Sequence, residues 1–242
     1  MSKVTAGLCL LFLVLFVTCP VHALPTPEEL LKMMADKAAT VKTYEVDYVM
    51  DSTITLVKTG STHHMVSLRE ERDGQVVHKF LITSRSTIRI GGNSTTMESK
   101  TVNDGEFWWH EIRSSRKPGV TVQKLKARKT VETGKLTNPE GVEKLRTAYD
   151  IADIEEDTID GHKVFVLKAT RKPEQGRTPE TREYQEDLTV RRTVMRHPEN
   201  FTVIRSDYGP LKLNAPVDPK LFEYTPPADA QIIDKTEDEP AQ

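Results

Sequence analysis

Hydrophobic and polar positions change their period once, near the start of the chain. Leu30, Leu31, Met34, Ala38 and Val41 recur at helical spacing and make one apolar stripe. Thr26 stands where a cap belongs, Pro27 at the first helical position, and Glu29 completes a capping box. The helical period stops near Thr43. From there Tyr44, Val46, Tyr48 and Met50 fall on one face of a strand, with Glu45, Asp47 and Asp51 on the other. Met33 and Met34 are read as helix packing.

Hairpin dipeptides then punctuate the chain. Asp73-Gly74 separates MVSLREER from VVHKFLIT, Gly91-Gly92 separates STIRI from STTMESKTV, and Asp104-Gly105 leads into FWWHEI. Lys117-Pro118-Gly119 turns the chain again before VTVQKL. One helical interruption follows, with Asn138 as cap, Pro139 next, and Val142, Leu145 and Tyr149 on one side. Asp160-Gly161 precedes KVFVLKA, and LTVRRTVM and FTVIRSDY supply two further strands. The pattern predicts about eleven strands and two helices, with no internal repeat. Residues 172–185 are expected to be a mobile loop, and the acidic tail 234–242 to be disordered.

Several strands are apolar on both faces. Val76, Phe80 and Ile82 oppose Val77 and Leu81; Val164 and Val166 oppose Phe165, Leu167 and Ala169; Phe107 and Trp109 oppose Trp108 and Ile112. Such a sheet must be covered twice or curl around something. Two helices are too few to cover so many flat strands. The fold expected is mainly β: a strongly curved antiparallel sheet, an unclosed β-barrel, with the helices as a lid over an apolar cavity. Alternation within each strand selects Val46, Tyr48, Met50, Ile54, Phe80, Ile82 and Ile90 as its lining.

Residues 1–23 read as a secretory signal peptide: Lys3, an apolar run from Leu8 to Val17, and cleavage after Val21-His22-Ala23. The run is too short to span a bilayer. Thr18 before Cys19 does not suit a lipoprotein signal. The expectation is an exported, soluble protein starting at Leu24, with one domain over 24–233. Cys9 and Cys19 both lie in the leader, which excludes disulfides, thiol catalysis and cysteine-bound zinc from the remainder. The formal net charge of −2 becomes −3 when Lys3 leaves, because no acidic residue goes with it. Charges are interspersed, and KLKARK (124–129) reads as a solvated strand edge, so no nucleic-acid partner is expected. Asn93-Ser94-Thr95 and Asn200-Phe201-Thr202 match the glycosylation triplet.

Catalytic patterns are missing from the sequence. His63 and His64 are neighbours on a strand, so they point apart and cannot share a metal. There is no G-x-S-x-G elbow and no phosphate-cradling glycine loop. Glu155, Glu156 and Asp157 form an acidic run before a turn, and Asp104 is explained by the turn it starts. No enzyme, metal or cofactor is expected.

Val102-Asn103-Asp104-Gly105-Glu106-Phe107-Trp108-Trp109 resembles the V-x-D-G-x-x-x-W strand of the periplasmic outer-membrane lipoprotein carriers, the LolA-like family. Val217-Asp218 through Phe222 to Pro226-Pro227, followed by Asp234, is similar to that family's ending. The resemblance implies a periplasmic, monomeric carrier whose cavity takes up the acyl chains of lipoproteins, or another lipid. An inner-membrane release complex and an outer-membrane acceptor would be its partners. Trp109 falls on the motif position and shares its face with Phe107, so the resemblance adds both to the lining and places Trp108 opposite, its indole N–H near a polar partner. The family's lid-latching Arg-Pro pair is missing from GSTHHMVSLREERDG, where Arg69 and Arg72 are the arginines present. A second reading is a lipid or lipoprotein sensor or scaffold of the same fold that binds a signalling protein.

Overall fold

The computed structural model describes residues 24–54, 57–127, 139–172, 180–186, 188–197 and 201–237. Helix α1 spans Pro27–Thr40 and opens on the expected box: the Glu29 amide donates to Thr26 Oγ1 at 3.3 Å, and the Thr26 amide to Glu29 Oε2 at 2.8 Å. Its stripe of Leu30, Leu31, Met34 and Ala38 is buried. Each such leucine or methionine side chain contributes about 1.5–3 kcal/mol against the loss of chain entropy.

Six long strands follow: β1 (Thr43–Ile54), β2 (Val57–Arg72), β3 (Gln75–Ile90), β4 (Asn93–Asn103), β5 (Phe107–Ser114) and β6 (Lys117–Lys126). Helix α2 (Pro139–Ala148) interrupts them. Then come β7 (Tyr149–Ile151), β8 (Glu155–Ile159), β9 (His162–Arg171), β10 (Glu180–Glu186), β11 (Thr189–His197) and β12 (Thr202–Tyr208). The C-terminal segment adds β13 (Lys212–Leu213), a 3-10 turn at Pro219–Phe222, and β14 (Gln231–Asp234).

All belong to one open sheet in the order β14-β6-β5-β4-β3-β2-β1-β12-β11-β10-β9-β7, with β13 against β1 and β8 against β9. The pairings are antiparallel except that β14 runs parallel to β6. The two ends do not meet, so the barrel is unclosed, as the doubly apolar strands predict.

Three sequence expectations change. The strands outnumber the predicted eleven in part because β7, β13 and β14 are two to four residues long, too short to show a period. The stretch 172–185 is not one loop: β10 occupies its second half, paired on both sides by β9 and β11. The C-terminal tail does not begin at Asp234, which ends β14 beside Lys124. The leader 1–23, its cysteines, the Asn138 cap and residues 238–242 lie outside the described residues.

Residues directly opposite in paired strands share a face, so the register sorts every side chain. On one face α1 and α2 pack Leu30, Leu31, Met34, Val142 and Leu145 against Leu167 and Ala169 of β9. We call this the helix face. On the other, Phe222 of the C-terminal turn packs on Val66, Leu81 and Val102, with Val217, Tyr224 and Trp109 around it. This is the tail face.

Candidate functional site

Rows of paired residues cross the helix face. Val46 stands opposite Met65, Met65 opposite Ile82, and Ile82 opposite Thr101, which faces His110. The next row holds Tyr48, His63, Ser84, Ser99 and Ile112, and the one after it Met50, Ser61, Ser86 and Met97. Ile54, Val57 and Ile90 make the last row, at the hairpin end. All seven residues selected by alternation therefore share this face. Val46 and Phe80 are buried, whereas Ile54 and Ile90 are 46% and 51% exposed.

Phe107 and Trp109 do not join them. The register pairs Asn103 with both Phe80 and Trp108, so it is Trp108 that lies on the helix face, its ring edge-on to Phe80 at 5.3 Å. Trp109 pairs with Val102 and faces the C-terminal segment, 5.5 Å from the Tyr224 ring. Its indole N–H donates to Asp104 Oδ2 at 3.1 Å, while the buried indole N–H of Trp108 has no partner among the described residues. The split of Phe107 and Trp109 from Trp108 is as expected, but the two sides are exchanged. One lining does not hold all nine residues.

A polar band crosses the middle of the helix face. Ser84 and Ser99 share a hydrogen bond of 2.8 Å, and Thr101 Oγ1 lies 2.8 Å from His110 Nδ1. The Ser61 hydroxyl donates to the Met50 carbonyl at 3.2 Å, so it accepts from His63 Nε2, 2.8 Å away. That tautomer leaves His63 Nδ1 a bare acceptor, buried with no partner among the described residues. Burial holds both His63 and His110 below the ordinary imidazole range. The His63 ring stacks on Tyr48 at 4.4 Å, and Tyr48 on Tyr208 at 5.1 Å. Burial pushes the Tyr48 phenol up to about 12. The band is thus made of neutral hydroxyls and imidazoles between two apolar zones. Sequence alternation passed over it, because small polar residues on a strand signal a solvated face.

The tail face is charged. A groove of about 780 Å³ runs over β1 to β5, with Asp47, His64, Arg85, Lys100, Glu111 and Arg113 among its walls. His64 lies 2.8 Å from Asp47, Arg113 lies 2.9 Å from Glu111, and Tyr224 donates to Glu111 at 2.8 Å. The Lys100 ammonium sits 5.5 Å over the Tyr224 ring. Lys124, read from sequence as part of a solvated edge, lies 3.9 Å over the Phe107 ring. The run Glu155 to Asp157 is exposed on β8 as expected, with Glu155 paired to Lys168.

Two arginines tie the helices down. Arg146 of α2 lies 3.3 Å from Glu28 of α1 and 2.9 Å from Glu143. Arg69, on the helix face of β2, donates to the Ala39 carbonyl at 3.3 Å, in the last turn of α1 where carbonyls lack helical partners. Arg72 pairs with Glu70 instead. A cleft of about 380 Å³ between the helices is walled by Leu31, Ala35 and Val142 with charged residues at its edge.

His63 and His64 occupy opposite faces, as expected, and no cluster of three potential metal ligands occurs among the described residues. Among the described residues no helix is long and apolar enough to cross a membrane.

No family model matches the sequence, and no curated protein matches it. Among solved structures, a protein of the DUF1329 family from Desulfovibrio piger is similar at 12% identity and a TM-score of 0.39, over 81% of this chain and 97% of that one. MucB is similar at 15% identity and a TM-score of 0.42, over 85% of this chain and 64% of MucB. These likenesses are faint, and the architecture rests on the register of the sheet itself. The similar structures also include a LolA superfamily protein from Nitrosomonas europaea, at 12% identity and a TM-score of 0.31 over 83% of this chain and 99% of that one.

Proposed function

We propose that this is an exported, non-catalytic binding protein that takes up an acyl chain along the helix face of its sheet and carries it through the periplasm. One observation supports the reading above the others. Val46, Tyr48, Met50 and Ile54 of β1 lie alongside Phe80, Ile82 and Ile90 of β3 on one face, running from a buried end to an exposed one. From Val46 to Ile54 the track is about 26 Å long at the rise of an extended strand. Apolar contact would hold the chain, and the hydroxyls and imidazoles at mid-track would meet a polar group such as an ester or amide. A lipoprotein acyl group, or another lipid with a carbonyl near its chain, fits that sequence of contacts.

The test is native mass spectrometry of protein purified from its own host, with lipid extraction. A co-purifying acylated species supports the carrier; an empty protein that also fails to bind fatty acyl probes overturns it. A second reading, a sensor or scaffold that engages a signalling protein, draws on the tail-face groove. Its alternating carboxylates and guanidinium groups suit a charged polypeptide better than a lipid. A stoichiometric protein partner lost on Arg85→Glu would favour that reading.

A further inference from the structure

Three hairpins end at the same rim of the sheet. The register sets Thr53 beside Val203, and Ile54 beside Val57, which faces Ile90. The strand ends that flank the β1–β2, β3–β4 and β11–β12 connections therefore stand side by side. Each carries a large apolar side chain in solvent: Ile54 at 46%, Ile90 at 51% and Phe201 at 83% exposure, with Val203 at 38% behind them. Single exposed apolar residues are ordinary; four on adjacent tips are not.

Phe201 adds a second anomaly. Its φ of +54° lies in the left-handed region, where a bulky residue is disfavoured and glycine or asparagine is preferred. A strained, exposed phenylalanine contributes little to the fold.

Charge is the third observation. Lys58 and Arg89 stand directly opposite one another, both exposed, with no carboxylate partner among the described residues. Like charges so placed weaken a strand pair. Arg116 and Lys117 follow, exposed, at the β5–β6 hairpin. Stretches 53–59, 86–97 and 114–119 hold Lys58, Arg89, Arg116 and Lys117, and contain no carboxylate. At the end of β11 stand Arg196 and His197, with Glu199 two residues further along the sequence. A chain of net charge −2 thus concentrates cations behind its apolar tips.

We infer that this rim docks on the surface of a bilayer containing anionic phospholipid. Ile54, Ile90 and Phe201 enter the headgroup layer while Lys58 and Arg89 meet the phosphates. Narrow projecting strand ends suit a fluid layer, which closes around each one. They do not present the continuous complementary face that a protein partner requires. Docking would set the open end of the helix-face track against the lipid, but the inference stands whether or not that track holds an acyl chain.

Sedimentation of the purified protein with vesicles tests it. Vesicles of phosphatidylglycerol with phosphatidylethanolamine should bind the protein at low salt, and vesicles of phosphatidylcholine alone should bind it far less. Lys58→Ser with Arg89→Ser should lower partitioning by about 30-fold. Phe201→Gly should also lower partitioning, while its melting temperature stays level or rises because glycine relieves the left-handed strain. Val76→Ser, exposed at the β2–β3 hairpin on the opposite rim, should change nothing. Four results would overturn the inference: no binding to anionic vesicles, equal binding to both kinds, the same loss with Val76→Ser, or a stoichiometric protein complex broken by Phe201→Gly without any vesicle binding.

Discussion

Trp109 donates its indole N–H to the carboxylate of Asp104, the residue that also starts the turn before it. Asp104 Oδ1 accepts from the amides of Glu106 and Phe107, each at 2.8 Å, and Oδ2 accepts from the indole at 3.1 Å. One side chain thus closes the turn and fixes the tryptophan on the tail face. Asp104→Ala removes an ionised acceptor from three donors and is expected to destabilise the protein by about 2–3 kcal/mol. Asp104→Asn keeps the amide bonds and should cost less. Urea denaturation followed by circular dichroism measures both.

The two tryptophans should answer a lipid probe differently. Trp108 lies on the helix face against Phe80, and Trp109 on the tail face against Tyr224. In a Trp109→Phe variant, emission from Trp108 should be quenched by a brominated fatty acid. In Trp108→Phe, emission from Trp109 should hardly respond. The reverse pattern would move the acyl site to the tail face and reject the track described above.

Phe80 and Ile90 share a face but test different things. Phe80 is 1% exposed, so glutamate there challenges the fold; even Phe80→Ala is expected to cost about 3–5 kcal/mol. Ile90 is half exposed at the end of the track. Ile90→Glu should leave the melting temperature close to that of the parent and weaken acyl-probe binding, measured by dye displacement. Undiminished binding would take the outer end of the track out of the ligand's path.

The neutral histidines give a pH dependence with a definite sign. Burial lowers His63 and His110 in the folded protein, so the unfolded chain binds protons first as pH falls. Stability from these groups is complete above the unfolded imidazole range, near pH 6.5, and is lost as pH drops below it. His63→Gln with His110→Gln should flatten that segment of the stability profile between about pH 7 and 5. A double variant with the parent slope would show that other groups carry it.

Local chemistry was legible and register was not. The α1 cap is set by residues three apart, and Asp73-Gly74 and Asp160-Gly161 turn with φ of +52° at both aspartates and positive values at the glycines, as hairpin dipeptides should. Alternation also separated Trp108 from Trp109. Which of them shares a face with Val46 depends on counting pairs through β2, β3 and β4, and every pairing offset contributes to that count. The mid-sheet band escaped notice for another reason: Ser61, His63, Ser84 and Ser99 acquire their meaning only from neighbours on other strands. Sequence offered Arg69 and Arg72 alike for the missing latch and could not choose between them, and Arg146 needed the approach of α2 to Glu28.

The parallel pairing of β14 with β6 governs how copies of this chain behave toward one another. Without β14, ten residues from Lys117 to Lys126 would present a bare ladder of amides and carbonyls, the template on which foreign strands grow. The C-terminal strand covers four of those ten residues, at the middle of the ladder, with a margin that ends in Asp234 and is followed by Lys235, too short to seed a neighbour. A chain cut after Pro227 should keep its helices and its other pairings. It should nonetheless form strand-linked oligomers on concentration, visible by light scattering, where the intact protein does not.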